Sequence, residues 1–408
     1  MEKNLSLYRS LLGSEAIEPL VQLASSLQGV RLVHVNSTLE GGGVAEILKE
    51  MVPLTKELGL DVEWVAIQGN EPFFRFTKQL HNLLQGQKIP EPDAASFRIY
   101  EQTNAENAVR LEDLLKNADV VFIHDPQPLP LLQNIPDRKG KWIWRCHIDL
   151  SSPSESTWDY LKKYIQLYDA SIFSMKDFAQ TLPHPVYFIP PSIDPLSEKN
   201  IELDEEEIHS VYRKFGIETT RPMVLQVSRF DRFKDPVGVI QSVRLARSAF
   251  PDLQLVLAGS GASDDPEGEI VFREALKEAD NDPNIHLLLL SPDSHRIINA
   301  LQRGASIVIQ KSLKEGFGLT VSEALWKSKP VIGGNCGGIR LQVIDRETGF
   351  LVDTPMEAAQ RIEFLLRNTQ TALEMGLKGR QLVKEKFLIT RHLKDYLTVI
   401  SDFLKQTK

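Results

Sequence analysis

Short apolar, β-branched runs recur along the chain, and each is followed by a segment whose apolar positions repeat every three or four residues. In the first half the runs fall at 30–35, 62–67, 120–124, 142–146, 170–173 and 186–189. In the second half they fall at 223–227, 253–258, 285–290, 306–309, 330–332 and 350–352. The runs are continuous rather than alternating, which predicts strands of a parallel sheet covered on both faces. Between them, residues 45–58, 105–116, 237–248 and 322–327 carry helical periodicity. Strand–helix alternation of this kind predicts an α/β protein built from two doubly wound, Rossmann-like domains.

The break is expected near Pro190-Pro191-Ser192-Ile193-Asp194-Pro195, where three prolines in six residues precede the acidic run 204–207. The expected domains are 1–193 and 194–385, and the helical pattern at 384–408 suggests a final helix, 386–408, crossing back to the N-terminal domain. Two such halves facing each other would place both sets of strand carboxyl ends around a central crevice, where open α/β sheets bind ligands.

A chain of 408 residues with 42% hydrophobic content holds enough apolar material for two cores. The net charge of −8 argues against a basic nucleic-acid surface. Cys146 and Cys336, the two cysteines, lie far apart and suggest neither a disulfide framework nor a zinc site. A basic leader followed by an apolar run is not seen at the N-terminus, and the apolar stretch 285–290 is far short of the ~20 residues a membrane helix needs. The expectation is a cytoplasmic protein without nucleic-acid or membrane partners, with homodimerisation left open.

Candidate chemistry gathers where strands end. Gly41-Gly42-Gly43 opens a helix expected from Val44, and such glycines either make a tight loop or let N–H groups approach an anion. A dinucleotide fingerprint fits poorly, because Glu46 occupies its third glycine position, and a P-loop motif does not occur. Arg229 and Lys234 follow the run 223–227; they belong to a solvated charged loop or to a clamp for a diphosphate. In Glu315-Gly316-Phe317-Gly318-Leu319-Thr320-Val321-Ser322-Glu323 the glycines mark a turn into a helix, with Glu323 about two turns in. The free N–H groups of Phe317, Gly318 and Leu319 would face the crevice, and a rise of ~1.5 Å per residue sets Glu323 roughly 7.5 Å from Gly318. His124-Asp125-Pro126-Gln127 and Arg145-Cys146-His147-Ile148-Asp149 end two neighbouring strands and could hydrogen-bond a second, neutral ligand. A buried, satisfied histidine is the plainer reading of His124.

Glu315 and Glu323 spaced as E-x7-E, the Arg229/Lys234 pair and the glycine loop, in this order, resemble the retaining GT-B glycosyltransferases of family 4. The stretches HVNSTLEGGGVAEIL, VFIHDPQP, RCHIDLSSPS, EGFGLTVSEALWKSKPVIG and GGIRLQV are more narrowly similar to the trehalose glycosyltransferring synthases. That resemblance covers nearly the whole chain. It implies reversible formation of α,α-trehalose from a nucleoside-diphosphate glucose (NDP-glucose) and glucose, with release of the nucleoside diphosphate. It further implies that Arg229 and Lys234 neutralise the diphosphate while Gly42 and Gly43 add N–H groups. Glu315 would hold the donor sugar and Glu323 the ribose, with backbone donors from Phe317, Gly318 and Leu319. His147 would stand beside the donor sugar, and Asp125, Gln127 and Asp149 would bind the acceptor glucose. The family's Gly-Gly-x-x-Glu is here Gly337-Gly338-Ile339-Arg340-Leu341, without the acid.

Retention through a double displacement would need a carboxylate on the far face of the sugar. The resemblance implies a same-face reaction instead, in which the departing phosphate oxygen takes the acceptor's proton. No tightly bound cofactor is expected; Mg2+ is allowed but no ligand cluster indicates it. The alternatives are a phosphate-dependent trehalose phosphorylase, a nucleotide-sugar 2-epimerase of GT-B shape and a non-catalytic nucleotide-sugar sensor.

Overall fold

The computed structural model describes residues 4–40, 42–260 and 266–405. The chain divides into two compact units, one formed by Met1–Pro191 with Ile389–Lys408 and the other by Ser192–Leu388. Each unit holds one six-stranded sheet, and every strand pair is parallel. In the first unit β1 (Arg31–Asn36), β2 (Asp61–Ala66), β3 (Val120–His124), β4 (Lys141–Arg145), β5 (Ala170–Phe173) and β6 (Val186–Phe188) lie in the order β2-β1-β3-β4-β5-β6. In the second, β7 (Met223–Val227), β8 (Gln254–Ser260), β9 (Ile285–Leu290), β10 (Ile307–Gln310), β11 (Val331–Gly334) and β12 (Gly349–Val352) lie in the order β12-β11-β10-β7-β8-β9. Each expected run lies at one of these strands, displaced by a residue or two at some ends. The α/β class with two doubly wound sheets is therefore what the chain adopts.

Chain order reverses between β1 and β3 in one sheet and between β7 and β10 in the other. Helices cover both faces of such a sheet, so polar groups at its centre have nowhere to go but the strand ends. The reversal opens the covering layer there, because successive connections leave toward opposite faces. Loops after β1, β3, β7 and β10 flank these points.

Several helix boundaries differ from the sequence pattern. The first glycine-loop helix is Gly42–Glu57 and opens two residues before Val44. The helix expected at 105–116 starts at Ala94, where Asp93 caps it by accepting from the Ser96 N–H. The C-terminal pattern is broken: one helix ends at Lys386 and the next runs Ile389–Lys405. The break keeps Phe387 in the second unit, where its carbonyl accepts from the Ile193 N–H at 2.8 Å and its ring meets Phe317 edge-on. Two residues later the chain is part of the first unit, and Arg391 donates to the Pro190 carbonyl at 2.8 Å.

The helix Ile389–Lys405 buries Leu393, Tyr396, Leu397, Ile400 and Phe403. Tyr396 packs beside Phe122 of β3 and His34 of β1. Removing the helix would expose several large side chains, each worth ~1.5–3 kcal/mol on burial. A chain ending at Leu388 should therefore lose the melting transition of the first unit while the second keeps its own, as resolved by calorimetry. Two unchanged transitions would show that this helix is dispensable.

Candidate active site

In the second unit, the loop after β7 and the loop after β10 are tied together. Leu313 N–H donates to the Phe233 carbonyl at 2.7 Å, and the buried Lys311 pairs with Asp235. Asp235 sits at φ 49°, a conformation favoured by few residues other than glycine, and its side chain caps the helix Pro236–Ala246. These ties fix the backbone around Lys234. Its ammonium meets Glu315 Oε2 at 2.5 Å, and the Ser312 hydroxyl donates to the same oxygen at 3.2 Å. Lys234 and Glu315 thus stand at one point. Arg229 behaves otherwise: its side chain is 64% exposed, with Asp231 at 3.7 Å.

The helix after Glu315 opens at Leu319, with Gly318 at φ 80° as its cap. Glu323 therefore lies little more than one turn in, not two. Its carboxylate is buried, 3.5 Å from Gln302 Nε2 and 3.9 Å from Lys199 Nζ. One turn on, Lys327 donates to the Glu323 carbonyl at 3.1 Å and to Asn200 Oδ1 at 3.0 Å, and burial pushes its ammonium down to about 7.

Gln342 entered the sequence reading only as part of the stretch GGIRLQV, without a role of its own, yet it organises this loop. Its buried amide donates to the carbonyls of Phe317 (2.5 Å), Gly338 (3.2 Å) and Gly318 (3.4 Å), and its oxygen accepts from the Ser322 hydroxyl at 2.5 Å. In a trans peptide the carbonyl and the following N–H point opposite ways. Holding the Phe317 and Gly318 carbonyls toward Gln342 therefore turns the N–H groups of Gly318 and Leu319 away from it. Gly337 and Gly338 back the same loop. A Cβ on Gly337 would collide with the Glu315 carbonyl, and one on Gly338 would lie 2.6 Å from the Gly316 carbonyl oxygen and from the Phe317 Cα.

In the first unit, Gly42 and Gly43 open their helix on the exposed surface, and Gly42 has φ 80°, so the position suits glycine. Gly41 lies outside the described residues. Asp125, at φ 62°, accepts from the His147 N–H at 2.7 Å, which brings the ends of β3 and β4 together. Burial raises the Asp125 carboxyl to about 6, against the opposing influence of that N–H and of Arg145. Gln127 Oε1 is buried and has no hydrogen-bond partner among the described residues. Asp149 accepts from the Ser151 N–H at 2.9 Å. His124 is buried and Cys146 is fully enclosed.

Residues 34–180 match the profile described as trehalose synthase, N-terminal domain, and residues 208–382 match that of glycosyl transferases group 1. Trehalose synthase of Thermococcus litoralis is 43% identical over 98% of this chain and 97% of its own. The chain is a member of the trehalose synthase family. Trehalose synthase of Rubrobacter xylanophilus is likewise 43% identical, over 98% of this chain and 97% of its own. A trehalose phosphorylase from Pleurotus pulmonarius is more distant, 29% identical over 84% of this chain and 53% of its own. Among solved structures, a UDP-forming α,α-trehalose-phosphate synthase from Burkholderia xenovorans superimposes with a TM-score of 0.73 at 15% identity, covering 92% of this chain and 100% of that one. The trehalose synthase family member described here thus has the GT-B fold and is a glycosyltransferase. Among the described residues, no helix is long and apolar enough to cross a membrane.

Two outcomes follow from this geometry. Gln342→Ala would remove the side-chain donor to the Phe317 carbonyl and the acceptor of the buried Ser322 hydroxyl, at ~1–3 kcal/mol for each group left unpaired, while the Gly318 and Gly338 carbonyls keep backbone donors. It should lower kcat/KM for the nucleotide sugar by about tenfold or more while circular dichroism stays native; unchanged kinetics would remove its role. Asp125 has a folded pKa above its unfolded value, so its stabilising contribution is complete below about 4 and is lost as pH rises through about 6. Asp125→Asn should accordingly melt higher than the parent at pH 8, and the gain should vanish by about pH 4. Equal melting at pH 8 would contradict the burial argument.

Proposed function

We propose that this protein transfers glucose reversibly between a nucleoside diphosphate and free glucose, making α,α-trehalose with retention and releasing the nucleoside diphosphate. The observation that carries the reading is the Lys234–Glu315 pair at the foot of an amide-bearing loop, in a chain 43% identical end to end to trehalose synthases. Lys234 and Arg229 take the donor diphosphate, and the N–H groups of Phe317, Gly318 and Leu319 serve the same anion and the sugar bound to it; Gly42 and Gly43, which open a helix of the first unit, offer N–H groups suited to an anion. Glu315 is held by Lys234 and Ser312 in one orientation, ready to accept from sugar hydroxyls. Glu323 receives the ribose hydroxyls.

Lys234 enters the reaction already paired with a carboxylate. Its charge is then shared, so the net positive charge offered to the diphosphate rests heavily on the solvent-exposed Arg229. As the glycosidic bond to phosphate breaks, negative charge grows on the departing oxygen. Cations placed there stabilise the transition state more than the ground state. That oxygen, on the face where glucose attacks, receives the proton of the acceptor's anomeric hydroxyl.

The acceptor falls to the first unit. Gln127 Oε1, without a hydrogen-bond partner among the described residues, is an acceptor that a sugar hydroxyl would satisfy, and Asp125 and Asp149 add carboxylate oxygens. His147 stands next to them. An acceptor lacking the matching hydroxyl leaves these groups unpaired, which makes discrimination strong.

The test supplies trehalose with a panel of nucleoside diphosphates and follows nucleotide sugar and free glucose. Both products, dependent on the nucleotide, are expected, and Arg229→Ala should slow the reaction by on the order of 10²-fold. Glucose 1-phosphate formed from inorganic phosphate without nucleotide would transfer the assignment to a phosphorylase.

A further inference from the structure

Three histidines lie across the carboxyl ends of adjacent strands in the first unit. His34 is on β1, His124 ends β3 and His147 follows β4. His34 Nδ1 is 3.0 Å from His124 Nε2, and His124 Nδ1 is 3.1 Å from His147 Nε2. The His124 and His147 rings are stacked within 17°, and His34 lies flat on Phe122 at 4.9 Å. His34 and His124 are buried, whereas His147 is partly exposed.

The surroundings hold all three rings neutral. Burial pushes His34 down to about 3, and burial with nearby Arg145 pushes His124 and His147 well below the usual histidine range. The groups around them are the buried Arg145, His392, Tyr396, the Arg391–Asp395 pair on the C-terminal helix, and Asp125. A neutral imidazole carries one N–H. Each of the two ring-to-ring bonds needs one donor and one acceptor. If His34 Nδ1 donates, His124 must carry its proton on Nδ1 and so must His147. If His34 Nδ1 accepts, all three carry it on Nε2. A mixed set would place two protons or two lone pairs face to face.

We propose that His34 and His124 are positioning residues that fix the ring orientation and tautomer of His147, leaving Nδ1 of His147 as the nitrogen it presents to the sugar. The inference rests on His147 standing at the sugar site of the proposed reaction. It assigns a purpose to two buried histidines which a packing role would fill with apolar side chains at lower cost. The arrangement matches the way an outer ring of hydrogen bonds sets which nitrogen a working histidine offers.

The test reads the ring nitrogens of the intact protein by 15N-correlated NMR, with His34, His124 and His147 assigned. All three should show one and the same tautomer. His124→Phe keeps an aromatic ring but cuts both bonds, so His147 should become a tautomer mixture and kcat for trehalose formation should fall by about tenfold or more, with KM for the nucleotide sugar within about threefold. His124→Asn places an amide near the Nδ1 position and can still bond His147, so it should recover kcat to within about threefold of the parent. Unlike tautomers in the parent, or equal kcat in the Phe and Asn variants, would overturn the proposal while leaving the proposed reaction standing. A parent that makes no trehalose would instead overturn the reaction, and the parent's spectra would still decide the tautomer chain.

Discussion

The constraint on which this molecule turns is that a parallel sheet clothed in helices offers polar chemistry a place only at its strand ends. Every backbone group inside the sheet is spent on a neighbouring strand, and both faces are apolar. The reversal of chain order between β7 and β10 opens the helical layer at one such end, and that between β1 and β3 opens another. Lys234 and Glu315 follow β7 and β10; Gly42 and Asp125 follow β1 and β3. The four loops owe their position to connectivity, and only their composition is left to decide what they bind.

The two units solve the electrostatic problem in opposite ways. In the second, charges near the loops are paired: Lys234 with Glu315, Lys311 with Asp235. In each pair the two opposite charges offset one another's loss of water. In the first unit, Arg145 is fully buried, and the nearby titratable rings give up charge chiefly because they are buried, with Arg145 adding to the effect at His124, His147 and His392. His34, His124, His147 and His392 are all driven toward the neutral form, and the Asp125 carboxyl is raised by burial. A strongly charged second unit suits a diphosphate. A largely neutral cluster of donors and acceptors suits a sugar, whose hydroxyls carry no charge and are told apart by hydrogen-bond geometry alone.

Strand positions were most legible where double burial demands an unbroken apolar run, as in β3 and β7, whose residues are all buried, and less so in the edge strands β2 and β6, which are only partly buried. The same local logic places the glycine and acid motifs at strand ends. Helix starts were less legible. The true start at Leu319 depends on Gly318 adopting φ 80°, a backbone state that neither periodicity nor spacing reports. Gln342, a residue of the GGIRLQV stretch, had its role hidden for a different reason. It lies 25 residues from Phe317, whose carbonyl it holds, and a lone glutamine in a short helix has no pattern of its own. His34 sits within an apolar run, where it reads as one more buried residue until β1 and β3 are seen to be neighbours. Contacts made across the sheet are set by topology, so they appear only once strand order is known.

Topology also accounts for the acid missing after Gly337-Gly338. In this chain the two glycines are needed for closeness, since any side chain at Gly337 would run into the Glu315 carbonyl. Gly338 N–H then donates to the Gly316 carbonyl at 3.1 Å, and Gln342 reaches the next two carbonyls of the same loop. The segment 337–342 thus works from behind the loop, through backbone carbonyls, and needs no carboxylate to do so. An arginine at position 340 is compatible with that task because the task is carried by glycines and an amide. A side chain at Gly337 would push on Glu315 itself, and one at Gly338 would push on Gly316 and Phe317. In physical terms the requirement here is the close approach of the two glycines to the loop.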